Sequence, residues 1–124
     1  MRLLLDTHLL LWSLGDARRL GKATLALLRG ADVHVSAASL WEISIKAALG
    51  KLQADPRSIL NSIEPAGFRL LAVKGEHAAR VFELGRIHQD PFDRLLIAQA
   101  QVEGMTLLTN DAALAEYGPS VQVI

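Results

Sequence analysis

The 124-residue chain contains no cysteine, which removes disulfides and thiolate metal sites and leaves nothing that a reducing compartment would break. It has no surplus of either charge, since 13 Lys and Arg stand against 13 Asp and Glu. A polycation that grips nucleic acid by charge alone is thereby excluded. Long hydrophobic runs are also missing. The apolar start Leu3-Leu4-Leu5 is broken at once by Asp6, and no stretch of signal-peptide or membrane-spanning length follows. A soluble, cytoplasmic protein with no membrane partner is the expectation. One region has no basic residue at all: Glu103, Asp111 and Glu116 follow Arg94, but no Lys or Arg does. Positive ground for an anionic ligand has to come from the earlier part of the chain, or from metal.

What the chain does have is apolar core. Hydrophobic residues make up 51% and charged ones 21%, values that fit a compact globule and exclude disorder. The length predicts one domain, residues 1–124. No repeat, linker or low-complexity stretch divides it. Strands are predicted over residues 2–5, 33–35, 69–73, 106–108 and 121–123. Helices are predicted over 7–14, 20–29, 38–49, 57–63, 76–84, 93–103 and 112–116, several of them stopped by glycine (Gly15, Gly30, Gly50, Gly85). Alternating strands and helices predict an α/β fold, three-layer α/β/α with a central parallel sheet. Right-handed crossovers then bring the strand C-termini to one edge, where such sheets bind ligands.

That edge sorts the acids. Asp6 follows the first strand, and Asp111 follows the strand at 106–108 after only Thr109 and Asn110. Asp32 precedes its strand and falls on the opposite edge. Asp16, Asp55, Glu64, Glu76, Glu83 and Glu116 fall in loops or on solvated faces. Four candidates remain: Asp6, Glu42, Asp93 and Asp111. Each stands near a helix start, where free N–H groups welcome a carboxylate without any catalytic role. Asp6 and Asp111 have capping roles open to them, and Ser39-Leu40-Trp41-Glu42 fits a capping box.

Asp93 is less easily explained in that way, because Asp90-Pro91 already supplies a cap and a first-turn proline. Leu96, Ile97 and Ala100 lie on the same helical stripe as Asp93, so its carboxylate heads a buried face and needs a cation or a donor. Glu42 shares a polar face with Ser39 and Lys46, which fits either a solvated i,i+4 pair or a metal-facing Glu beside a phosphate-steadying Lys. Four carboxylates entering one edge repel unless cations are present. An all-oxygen set suits Mg²⁺ or Mn²⁺ and not zinc. Other chemistries lack their residues. Gly15 with Gly21-Lys22 has the wrong spacing for a phosphate loop, and no nucleophile elbow or dinucleotide fingerprint occurs. The histidines lack metal-ligand spacing; His8 and His88 remain open as an acid/base pair for metal-free RNA cleavage. Trp12 and Trp41 read as packing residues, with a partner interface open to either.

Four segments in this order carry a resemblance over essentially the whole chain: Leu3-Leu4-Leu5-Asp6-Thr7; Ser39-Leu40-Trp41-Glu42-Ile43 with Lys46; the run from His88 through Asp90-Pro91-Phe92-Asp93-Arg94 to Ala100; and Thr109-Asn110-Asp111. The chain resembles PIN-domain ribonucleases, specifically the toxin half of VapBC-type toxin–antitoxin pairs. The resemblance implies that Asp6, Glu42, Asp93 and Asp111 are the catalytic, metal-binding acids, holding Mg²⁺ or Mn²⁺ for hydrolysis of RNA phosphodiesters to 5′-phosphate and 3′-hydroxyl ends. Asp90 is read as a residue behind the ligands or a helix cap. Thr7, Thr109 and Asn110 are candidates to orient water, with turn and capping roles equally open. Lys46 and Arg94 are candidates for RNA backbone contact, with ion pairing to a neighbouring acid as the alternative. The resemblance further implies an antitoxin protein that reaches the acid cluster and a homodimer. Two alternatives are carried forward: a receiver-like phospho-acceptor domain, disfavoured because no Lys follows Lys74, and a catalytically inactive PIN-like binding module.

Overall fold

The structure is a computed structural model that describes all residues, 1–124. Five strands, β1 (Arg2–Leu5), β2 (Asp32–Ser36), β3 (Arg69–Leu71), β4 (Thr106–Thr109) and β5 (Val121–Val123), form one sheet in the order β3-β2-β1-β4-β5. Every pairing is parallel. The expected three-layer α/β/α architecture with a central parallel sheet is what the chain adopts. Receiver-like domains order their strands 2-1-3-4-5, so this topology sets that alternative aside.

The central strand shows why the sequence folds this way. Leu3, Leu4 and Leu5 are all fully buried, as a strand covered on both faces requires. Side chains alternate across the sheet. Leu3 and Leu5 join Leu9, Leu10, Val33, Val35, Ile43, Ile63 and Leu108 in one core. Leu4 joins Leu96, Ile97, Ala100, Leu107 and Leu114 in the other. The first core is closed by α1 (Thr7–Gly15), α2 (Lys22–Arg29), α3 (Ala37–Ala48) and α4 (Pro56–Ile63). The second is closed mainly by α6 (Pro91–Glu103), against which α5 (Gly75–Arg80) packs. No helix is long and apolar enough to cross a membrane.

Several boundaries differ from the sequence expectation. The helix expected at 20–29 is split, with a 3₁₀ turn at Ala17–Leu20 followed by Gly21 at φ +83° and then α2; that backbone is open to glycine and costly for other residues. The helix expected at 76–84 ends at Arg80 and tightens into a 3₁₀ turn, Val81–Glu83. The segment after Asp111 is also 3₁₀, Ala112–Tyr117. The strand expected at 69–73 stops at Leu71. Finally, α3 begins one residue earlier than expected, at Ala37: Ser36 is its cap, accepting from the Ala38 N–H at 3.0 Å. The capping-box alternative for Ser39 and Glu42 is therefore overturned, because both residues lie inside the helix and are buried.

Candidate active site

The site forms where the chain changes direction across the sheet. From β1 the chain winds outward to β2 and β3, then returns to β4 beside β1 and continues to β5. The C-terminal ends of β1 and β4 thus flank the crevice in which open α/β sheets bind ligands. Asp6 follows β1, Asp111 follows β4 by two residues, and α3 and α6 bring Glu42 and Asp93.

Asp6 is buried and caps α1, its Oδ1 accepting from the Leu9 N–H at 2.8 Å. Its Oδ2 accepts from the Thr109 hydroxyl at 2.6 Å, and Thr109 Oγ1 in turn accepts from the Asp111 N–H at 3.0 Å. One threonine therefore locks the first acid to the last. Burial pushes the Asp6 carboxyl above its usual range, against the pull of Thr109, Leu9 and His8, and Glu42 pushes it further up. Glu42, also buried, accepts from Thr7 Oγ1 at 2.7 Å and pairs with Lys46 Nζ. Thr7 Oγ1 lies 3.0 Å from Ser39 Oγ as well. The hydrogen bond to Glu42 raises the Lys46 pKa, with Asp90 and Asp93 adding to it.

Asp90 caps α6 as expected, its Oδ1 accepting from the Phe92 and Asp93 N–H groups at 2.8 and 3.1 Å. Asp93 is half-buried, and its pKa is pushed up to about 6, first by burial and then by Asp90, with a smaller push from Glu42; a hydrogen bond to His88 pulls the other way. Leu96, Ile97 and Ala100 behind it are fully buried, as its helical stripe predicted. Asp111 caps the 3₁₀ turn through Oδ1, which accepts from the Ala113 N–H at 3.0 Å. In Asp6 and Asp111 a capping role coexists with a place on this edge of the sheet.

The structure brings the four acids to one edge but does not gather them equally. Ligand atoms of Asp93, Asp111 and His88 all lie within 4.8 Å of one another. Asp6 and Glu42 stand outside that group, next to it, with Glu42 acting electrostatically on both Asp6 and Asp93. His88, read from sequence without a role at the metal, places Nε2 2.9 Å from Asp93 Oδ2. Its signal was the five-residue spacing from Asp93 across Gln89-Asp90-Pro91, a turn whose closure periodicity alone does not reveal.

Arg94, a candidate for RNA backbone contact or for an ion pair with a neighbouring acid, pairs with no carboxylate. Its guanidinium donates to the carbonyls of Val81, Gly85 and His88 and to Tyr117 Oη, so it braces the segment before α6. Asn110 is exposed and lines an open cleft of about 710 Å³ with His8, Trp12, Arg19 and Asp111. There Arg19 stacks 4.4 Å from the Trp12 ring centroid. Trp41, expected as packing, is 60% exposed and meets Phe92 edge to face at 5.4 Å. The excluded acids behave as foreseen: Asp32 begins β2 on the opposite edge and pairs with Arg69 at 3.5 Å.

Fold and site together define a small α/β domain whose acids converge on the ligand-binding edge of a parallel sheet. A family model for the PIN domain matches residues 3–118, and the chain belongs to the PIN-domain family. Among solved structures it is similar to VapBC2 from Rickettsia felis bound to a promoter DNA fragment, with TM-score 0.72, 18% identity, and 100% of this chain and 98% of that chain covered. It is also similar to DNA-bound VapBC from Salmonella typhimurium, with TM-score 0.69, 19% identity and coverages of 100% and 97%. FitAcB from Neisseria gonorrhoeae gives TM-score 0.65, 21% identity and coverages of 96% and 95%. At these identities the likenesses establish the fold. A search of curated proteins found no match.

Proposed function

We propose that this PIN-domain protein is a divalent-metal-dependent endoribonuclease and acts as the toxin of a type II toxin–antitoxin pair. The observation that carries the nuclease reading is the convergence of Asp6, Glu42, Asp93 and Asp111 on one edge, with Asp93 held at a pKa of about 6 by burial and its acidic neighbours. Lys46 offsets only Glu42 by direct contact, and the crowded carboxylates that remain suit an external cation. The donor chemistry fits Mg²⁺ or Mn²⁺: Asp93 Oδ1 and Asp111 Oδ2 accept no hydrogen bond from the protein, and hard oxygens are what these ions take. When bound, such a cation supplies positive charge for the phosphate oxygens and acidifies water at the scissile bond.

The chain's own residues do the rest. Thr109 and Thr7 fix the rotamers of Asp6 and Glu42, so the carboxylates face the edge without reorganising. Lys46, neutralised in part by Glu42, remains partly exposed beside the acids and can meet a phosphate. The Arg19–Trp12 pair supplies positive ground next to Asp111 in a chain with no basic residue after Arg94. That arrangement suits a single strand passing the acids.

The toxin role rests on likeness to complexes described as VapBC and as a toxin–antitoxin complex from Klebsiella pneumoniae. It implies a cognate antitoxin protein, and a homodimer that size-exclusion chromatography would detect. The nuclease test is direct: purified protein cuts RNA with Mg²⁺ or Mn²⁺, while EDTA or Asp93→Asn stops it. Cleavage that survives EDTA would sink the metal reading and favour the histidine route. Intact metal binding without cleavage would favour the inactive binding module. For the toxin role, expression should arrest growth, and co-expression of a small DNA-binding protein encoded beside it should restore growth.

A further inference from the structure

We propose that His88 is itself a metal ligand, giving the site one imidazole nitrogen beside the oxygens of Asp93 and Asp111 and a preference for Mn²⁺ or Co²⁺ over Mg²⁺. This rests on the metal-dependent reading above and names a donor which that reading does not contain.

Three observations carry it. First, His88 Nε2 and Asp93 Oδ2 are 2.9 Å apart. Neighbouring ligands at about 2.1 Å from an octahedral ion are separated by roughly 3 Å, and opposite ones by about 4.2 Å. A hydrogen-bonded pair at this distance already has the spacing of two adjacent ligands. Second, donor atoms of His88, Asp93 and Asp111 all fall within 4.8 Å of one another, so one ion can reach all three after small side-chain adjustments. Asp6 and Glu42 fall outside this set. Third, the backbone of His88 is held from both sides. Its N–H donates to Tyr117 Oη at 3.0 Å, and its carbonyl accepts from Arg94 Nη1 at 3.2 Å. Tyr117 Oη also donates to the Gly85 carbonyl at 3.2 Å. Arg94 follows Asp93 in α6, and Tyr117 ends the turn that Asp111 caps. The three donors are therefore mounted on one braced frame, although the segment that carries His88 is irregular.

The chemistry follows from the donor. Coordination through Nε2 requires the neutral tautomer with its proton on Nδ1, so the ion replaces the hydrogen bond to Asp93. An imidazole nitrogen suits later divalent metals, whereas Mg²⁺ takes oxygen and holds its water.

The test uses the full chain with Mn²⁺ and does not depend on activity. Pulsed electron paramagnetic resonance of the Mn²⁺ protein should show ¹⁴N coupling from a directly bound nitrogen, and His88→Gln should abolish it. Gln can still donate a hydrogen bond to Asp93, so a merely orienting role would leave the variant unchanged. By calorimetry, His88→Gln should weaken Mn²⁺ binding about tenfold or more, while Mg²⁺ affinity stays within about threefold. Circular dichroism confirms that the variant folds. Bound Mn²⁺ without ¹⁴N coupling in the wild-type protein overturns the proposal, as does coupling that persists in His88→Gln. In either case metal-dependent RNA cleavage by the wild-type protein would leave the nuclease reading standing. Absence of any Mn²⁺ binding at millimolar metal would remove both.

Discussion

Asp93 carries a carboxylate that the folded chain alone would keep protonated in mild acid. Its folded pKa of about 6 lies above the ordinary value of 3.8. Between those values the native state binds a proton that the unfolded chain does not. Stability of the metal-free protein therefore falls as pH rises from about 4 to about 6, and the full penalty remains at neutral pH. At roughly 1.4 kcal/mol per pKa unit the penalty is at most about 3 kcal/mol, and less after solvent screening of a half-exposed group. Asp93→Asn should keep the acceptor for His88 and lose the charge. In EDTA at pH 7.5 the variant should unfold at higher urea than the wild type, and its stability should vary less between pH 4 and 6. The same variant should lose at least about 100-fold of the metal-dependent cleavage rate, as removal of a preorganised electrostatic group does. A variant that is less stable than wild type in EDTA would show that Asp93 is not strained by its surroundings.

At the scale of elements, the site depends on how α3 and α6 are fixed against the sheet, and Gln99 does much of this. It is fully buried, accepts from the Ser36 hydroxyl that caps α3, and donates to the Ala72 carbonyl just after β3. Its Nε2 also lies 3.3 Å from Nδ1 of buried His77. That nitrogen accepts from the Lys74 N–H at 3.0 Å, so the ring proton sits on Nε2 and is donated to Glu103 at 2.8 Å. The bond holds the Glu103 carboxyl below its usual range. Replacing Gln99 with Leu preserves approximate volume but strips partners from the fully buried Ser36 hydroxyl and from the Ala72 carbonyl. A loss of about 2–3 kcal/mol in urea denaturation is expected, with Mn²⁺ affinity reduced because Glu42 and Asp93 lose their common support. A change under about 0.5 kcal/mol would mean that water replaces the amide. None of this network was legible in the sequence, where Gln99 was one letter in an apolar run. Strand β1, the caps at Asp90 and Pro91 and the buried stripe behind Asp93 were legible, because each follows from spacing within one element. The splits at Gly21 and Arg80, the partners of Arg94 and the approach of His88 to Asp93 depend on contacts between elements, which periodicity does not encode. Glu42 lay between these cases: its pairing with Lys46 followed from i,i+4 spacing, but its bond to Thr7 required α1 and α3 to be placed.

For the molecule as a whole, the balance of 13 basic and 13 acidic residues conceals an uneven arrangement, with carboxylates crowded at one end of the sheet. Hydrophobic burial on both faces of β1 sustains that crowding, since the fold can bear a destabilised edge if the two cores hold. Metal binding should then be visible as global stability. A ligand that binds only the native state adds about 2.7 kcal/mol at 100 times its dissociation constant, or roughly 10 °C in Tm for a domain of this size. Mn²⁺ should accordingly raise the wild-type Tm at pH 7.5, and EDTA should reverse the gain. Asp93→Asn combined with Asp111→Asn should start above the metal-free wild type and gain less than about 1 °C from the same metal. The two melting curves should therefore cross as Mn²⁺ is added, a pattern that general surface binding of cations cannot produce. If the double variant gains as much as the wild type, the stabilising ion sits elsewhere on the molecule, and the acids at the sheet edge are not what holds it.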